Sequence, residues 1–222
     1  MTAGRRTGLL GGTFDPVHYG HLDAAEAASL ALQLDEVVFV PSHVPPHRST
    51  QPLASAFHRF AMVALALDGR RGLRASDAEL GRDGPSFTID TLRAFHRLGI
   101  PPSQLFFIVG ADAFAEIATW REFPGVLEAA SFAVIARPGC RLEDALGSLP
   151  AVLRRVRQRP WSLEQFDEPG VFPVEAVTRD VSATDVRARI ASGLDISDLV
   201  PAPVARHIAA HNLYEPVGDL HG

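Results

Sequence analysis

Apolar positions along this chain alternate between short β-branched runs and longer stretches of helical spacing. Gly8-Leu9-Leu10 is a brief apolar run closed by Gly11-Gly12, the pattern of a buried strand entering a tight loop. From Tyr19 to about Leu32, Leu22, Ala25, Ala28 and Leu32 recur at helical spacing. Asp35 to Val40 reads as a strand stopped by Pro41. Together these form strand, loop, helix and strand, the opening of a βαβ unit. Ser55 to Leu67 is predicted as a helix with Phe57, Phe60, Ala61, Ala64 and Leu67 on its buried side. A strand at Leu73 to Ser76, a helix at Thr88 to Leu98, and strands at Leu105 to Val109 and Ser131 to Ala136 follow. Residues from about Arg141 to Glu168 show no readable period; Arg154, Arg155, Arg157 and Arg159 there suit a solvated helix face better than a site. A last strand at Val171 to Val177 and helices at Ser182 to Ala191 and Pro203 to His211 complete the pattern. Alternating strands and helices predict an α/β fold with a doubly wound, mostly parallel sheet, Rossmann-like, ending in C-terminal helices. Ligands of such sheets sit beyond the carboxyl ends of the strands, where the strand order reverses.

Composition narrows the chemistry. The 222 residues suit one domain spanning 1–222, with a helical portion from about residue 180. The net charge of −5 argues against nucleic-acid or membrane partners, and nothing near the N-terminus resembles a signal peptide, so a cytoplasmic protein is expected. The chain contains no lysine; all 21 basic residues are arginine. A Walker-type phosphate loop and Schiff-base chemistry are therefore excluded, and any permanent positive charge must come from arginine. Cys140 is the only cysteine, which excludes an intrachain disulfide or a multi-cysteine zinc site.

The most informative string is Gly11-Gly12-Thr13-Phe14-Asp15-Pro16-Val17-His18-Tyr19-Gly20-His21. Its glycines let backbone approach a ligand, and the helix that follows points its positive dipole end at the same place, which favours phosphate. His18 and His21, three residues apart at a helix start, share one face. Ser182 and Thr184 precede another helix, where hydroxyls and free N–H groups suit phosphate, and Arg187 one turn later adds a fixed charge. Asp112, after the strongest apolar run, reads either as an acceptor for ribose hydroxyls or as a helix cap. Trp120 taken alone reads as core. His43 and His47 lack partners in sequence for a metal site, and His43 is given no role.

This string resembles the signature of the nucleotidyltransferase superfamily with the His-x-Gly-His motif, and its longer form resembles bacterial nicotinate-nucleotide adenylyltransferases. Supporting segments run in order along nearly the whole chain: Val44-Pro45-Pro46-His47-Arg48, Pro85-Ser86-Phe87-Thr88, Gly110-Ala111-Asp112, Thr119-Trp120, Arg137-Pro138-Gly139, Val181 to Arg187, and Asn212-Leu213-Tyr214. The resemblance implies adenylyl transfer from ATP to nicotinate mononucleotide, giving nicotinate adenine dinucleotide and pyrophosphate, with Mg²⁺ accompanying ATP. It implies that His18, His21 and Arg187 are catalytic. It also implies that Gly11, Gly12, Thr13, Phe14, Gly20, His47, Arg137, Ser182 and Thr184 bind ATP. Asp15, Thr88, Asp112 and Trp120 are assigned to the mononucleotide, Asp15 also being a candidate outer partner of the cation. Phe87 and Arg121 depart from the family pattern, which has tyrosine and commonly an aromatic at these places. No protein metal ligands are expected, and a homo-oligomer is compatible with the sequence. The alternatives are a sister adenylyltransferase acting on nicotinamide mononucleotide or pantetheine phosphate, or a non-catalytic nucleotide-binding regulator.

Overall fold

The computed structural model describes residues 4–44, 52–136, 149–157, 161 and 168–216. Six strands, β1 (Thr7–Gly12), β2 (Glu36–Pro41), β3 (Leu73–Ala75), β4 (Leu105–Gly110), β5 (Ser131–Ala136) and β6 (Val171–Glu175), pair throughout in parallel. Their order is β3-β2-β1-β4-β5-β6. The doubly wound parallel sheet expected from the sequence is therefore observed, and its order reverses between β1 and β4.

Because successive strand residues face opposite sides, each strand feeds two cores. Leu10, Val37, Phe39, Phe106 and Ile108 face one side. They pack under α1 (Tyr19–Leu32), α2 (Ala56–Leu67) and two C-terminal helices. Leu9, Val38, Val40, Phe107 and Val109 face the other, under α3 (Thr88–Arg97), α4 (Ala111–Ala115) and α5 (Val126–Ala129). A short α6 (Pro150–Leu153) adds Val152 to that second core. The C-terminal helices are α7 (Ala183–Ala191) and α8 (Ala202–Ala210). None of the described helices is long and apolar enough to cross a membrane.

All four α1 positions picked from the sequence, Leu22, Ala25, Ala28 and Leu32, are buried. The face assigned to α2 needs correction. Its buried residues are Arg59, Met62, Val63, Ala66 and Leu67, whereas Phe57 is exposed. Arg59 is the reason: its side chain is almost wholly buried and fans hydrogen bonds to the backbone carbonyls of Ala54, Thr13 and His43. With 3.6 residues per turn, the observed face lies roughly a third of a turn from the predicted one. The short α4, α5 and α6 and the 3-10 turns at Pro102–Gln104 and Ile117–Thr119 have no counterpart in the sequence reading, being too short to display a period.

Candidate active site

A cleft of about 560 Å³ opens where the strand order reverses. Its walls include Gly11, Gly12 and Thr13 after β1, His18, Gly20 and His21 at the start of α1, and Gly110 and Asp112 after β4. Thr88, Trp120 and Arg121 close the far side. Thus the glycine loop and Thr88, Asp112 and Trp120, far apart in sequence, share one cavity.

The loop is held in shape by its own packing. Phe14 takes a left-handed backbone angle, φ 51°, which turns the chain sharply after Thr13. Its ring goes inward, edge-on to His21 at 4.9 Å and tilted against Phe39. The Phe14 side chain is therefore a support behind His21 and not a cleft surface, a correction to its grouping with the ATP contacts. Gly20 lies in close approach to its neighbours. A Cβ there would sit 3.2 Å from the His18 Nδ1 and 3.3 Å from Val181.

His18 and His21 stack with ring centroids 3.7 Å apart. The His18 backbone N–H donates to the His21 Nδ1 at 3.2 Å. That bond leaves the His21 Nδ1 unprotonated, so the neutral ring carries its hydrogen on Nε2. The His18 Nδ1 is buried with no hydrogen-bond partner. Burial lowers the His18 pKa to about 4, against smaller upward pulls from Asp185 and Asp23. Burial, then the neighbouring His18, holds His21 well below the usual imidazole range. In the free protein at neutral pH both rings are therefore uncharged hydrogen-bonding groups. A cation at the same cleft is Arg179, whose guanidinium lies 3.8 Å above the Tyr19 ring and pairs with Asp23 at 2.8 Å. Arg179 lines the cleft and was not singled out in sequence.

Buried neutral histidines make stability pH-dependent. The unfolded chain takes up a proton on His18 near pH 6.5, while the folded chain resists until about pH 4. Stability is thus retained above about pH 6.5 and falls as pH drops toward 4, by about 3 kcal/mol from His18 alone. Urea melts at pH 7.5 and 4.5 test this. The His18→Gln variant is expected to lose distinctly less stability between the two pH values; an equal loss removes His18 as the cause.

Asp15 is held by protein partners. Its carboxylate is buried and accepts hydrogen bonds from the backbone N–H groups of Leu53 and Ala54 at 3.0 and 3.1 Å, and from the Tyr214 hydroxyl at 2.9 Å. It does not line the cleft. Burial and the adjacent carboxylate push the Tyr214 pKa up, keeping the phenol a donor. Asp15 therefore ties the loop to two distant segments, with both carboxylate oxygens engaged by protein donors.

Ser182, Thr184 and Arg187 lie together at the start of α7 but outside the cleft lining. The Ser182 hydroxyl caps α7 by accepting from the Asp185 N–H at 3.1 Å. Arg187 donates to the Asp15 carbonyl at 2.7 Å and to the Thr184 hydroxyl at 3.2 Å. The group braces the phosphate loop from outside, with Arg187 in direct contact with it. His43 acquires a role: its backbone N–H donates to the Ser86 hydroxyl and its Nδ1 contacts the Arg82 carbonyl at 2.9 Å. It pins the β2 end to the Arg82–Ser86 turn. Glu79 was also unforeseen. It is buried at the cleft, hydrogen-bonded to Thr91, and burial raises its pKa. His47, Arg137 and Cys140 lie outside the described residues.

A parallel sheet with a glycine loop and paired histidines at its switch point is the architecture of a nucleotide-binding transferase. Residues 9–189 match the model of the family described as cytidylyltransferase-like. A probable nicotinate-nucleotide adenylyltransferase of Desulfatibacillum aliphaticivorans is 38% identical over 94% of this chain and 99% of its own length. One from Pseudomonas fluorescens is 43% identical over 95% and 98%. Among solved structures, a Plasmodium falciparum nicotinic acid mononucleotide adenylyltransferase complexed with NaAD superposes with a TM-score of 0.68. It is 18% identical over 95% of this chain and 98% of that one, a likeness of fold. The chain belongs to the nicotinate-nucleotide adenylyltransferase family of the cytidylyltransferase-like superfamily.

Proposed function

We propose that this protein transfers the adenylyl group of ATP to nicotinate mononucleotide, releasing pyrophosphate and nicotinate adenine dinucleotide. The observation that carries the reading is the single cleft joining Gly11–Thr13, His18 and His21 to Thr88, Asp112 and Trp120. The Trp120 indole stands edge-on to Phe107 at 5.9 Å, which fixes its plane beside the cavity, and offers a face to a pyridine ring. The mononucleotide phosphate oxygen attacks the α-phosphorus in line. The new P–O bond forms as the bridge to the β-phosphorus breaks, and the electron pair leaves with pyrophosphate. The nucleophile is already anionic, so no proton need be removed and no enzyme nucleophile is required. Catalysis rests on positioning and on donors aimed at the phosphates, here the two imidazoles and the α1 N-terminus. Mg²⁺ enters with ATP as part of the substrate. Asp112 and the buried Glu79 are the carboxylates among the described cleft residues, too few for a protein cage of such a cation.

Preference for nicotinate over nicotinamide is supported by Arg121. Its guanidinium lies 4.8 Å above the Phe87 ring, at the cleft wall beside Thr88 and Trp120. A permanent cation there favours a pyridine carboxylate over a neutral amide. A pyrophosphate-release assay with ATP and nicotinate, nicotinamide and pantetheine acceptors tests the assignment. Equal kcat/KM for the two pyridine mononucleotides overturns the nicotinate reading. Arg121→Gln is expected to lower the nicotinate-to-nicotinamide ratio about tenfold, a modest figure because the charge is half exposed and shared with Asp90.

A further inference from the structure

Three histidines meet on the surface of the α2–α8 contact, with no part in the cleft. His58 lies in the first turn of α2. His207 and His211 are one helical turn apart at the end of α8, so they share a face. The His58 Nδ1 and the His207 Nε2 are 3.1 Å apart, sharing a single hydrogen. The ring centroids of the three pairs are separated by 4.5 to 5.3 Å. One ring nitrogen from each residue can be chosen so that all three lie within 4.8 Å of one another.

We propose that His58, His207 and His211 form a binding site for a divalent transition-metal ion of the zinc class, which braces α8 against α2. Neutral imidazole is a preferred ligand for such ions, and three of them leave a fourth position for water. Zinc–nitrogen bonds of about 2.0–2.1 Å in a tetrahedron require ligand nitrogens roughly 3.4 Å apart. The His58–His207 separation is already close to that, and a small rotamer adjustment brings in the exposed His211. The helices that carry the rings are fixed independently by Met62, Val63 and Ala66 of α2 and Val204 and Ile208 of α8 in the shared core. The ligands are thus pre-arranged. The ion would replace the hydrogen now shared by His58 and His207.

The position gives the ion a structural purpose. The chain leaving α8 carries Tyr214, whose hydroxyl donates to Asp15 in the phosphate loop. Fixing the end of α8 fixes the anchor of that contact. The site is independent of the acceptor assigned above.

Chelator-treated protein without a histidine tag is titrated with Zn²⁺, Ni²⁺ or Co²⁺. One equivalent is expected to bind, raising Tm by about 5–10 °C at a hundredfold excess over Kd, reversed by chelator. Co²⁺ is expected to give the visible ligand-field bands of a low-coordinate imidazole site. His211→Ala, at an exposed position, is expected to keep the metal-free Tm and adenylyl-transfer rate while losing the metal-dependent shift and the Co²⁺ bands. His58→Ala is expected to lose both as well. Absence of a shift with all three ions overturns the site, as does an undiminished shift in His211→Ala.

Discussion

Replacing His18 with alanine is expected to lower kcat about 100-fold or more while leaving the KM for ATP within a few-fold of the parent. The size follows from what the ring supplies. It is a buried, uncharged imidazole whose Nδ1 has no partner in the free protein, stacked on a second imidazole at the mouth of the phosphate loop. Such a group forms its best hydrogen bond when charge builds on the transferring phosphate, and loss of one donor of that kind costs about 3–4 kcal/mol of activation free energy. A loss confined to the transition state appears in kcat and kcat/KM together. His18→Gln keeps a donor of similar reach and is expected to recover part of the rate. An unchanged turnover number in His18→Ala would take the residue out of the chemistry.

The second large effect is expected at a side chain that does not itself line the cleft. Arg59→Ala is predicted to destabilise the fold by about 3 kcal/mol or more, because it strips the donors from the carbonyls of Thr13, His43 and Ala54 and leaves a cavity. For a chain of this size that corresponds to a Tm lower by about 6–12 °C. The same carbonyls belong to the phosphate loop, the β2 end and the segment that caps Asp15, so adenylyl transfer is expected to fall even below the melting transition. Thermal melts and pyrophosphate release, measured together, check both parts. A variant that melts within about 2 °C of the parent would show that those carbonyls find other donors.

The fold was readable because its long elements obey one period each. Leu22, Ala25, Ala28 and Leu32 define α1, and the LFFIV run defines β4 without help from elsewhere. The glycine loop and its two histidines were readable because their neighbours in space are neighbours in sequence. What escaped the sequence depends on partners far along the chain. The Asp15 carboxylate looks like a ligand until Tyr214 and the Leu53–Ala54 backbone are seen to occupy it. The buried face of α2 sets Arg59 in line with Met62, Val63, Ala66 and Leu67, and an arginine in that row disguises the face in sequence. Arg179 gained meaning only when Asp23 and Tyr19 were found beneath it. The histidine cluster is split between residue 58 and residues 207 and 211 and has no local signature.

The Tyr214 hydroxyl reaches across 199 positions of sequence to Asp15. A ribosome making this chain therefore releases the glycine loop long before its last fastening exists. β1 and α1 can emerge and pair with β2 early, but the loop between them stays open on one side until α8 and the residues just beyond it have left the exit tunnel. The Asp15 turn is accordingly fastened late in synthesis, and a nascent chain arrested short of Tyr214 lacks the hydroxyl that closes it.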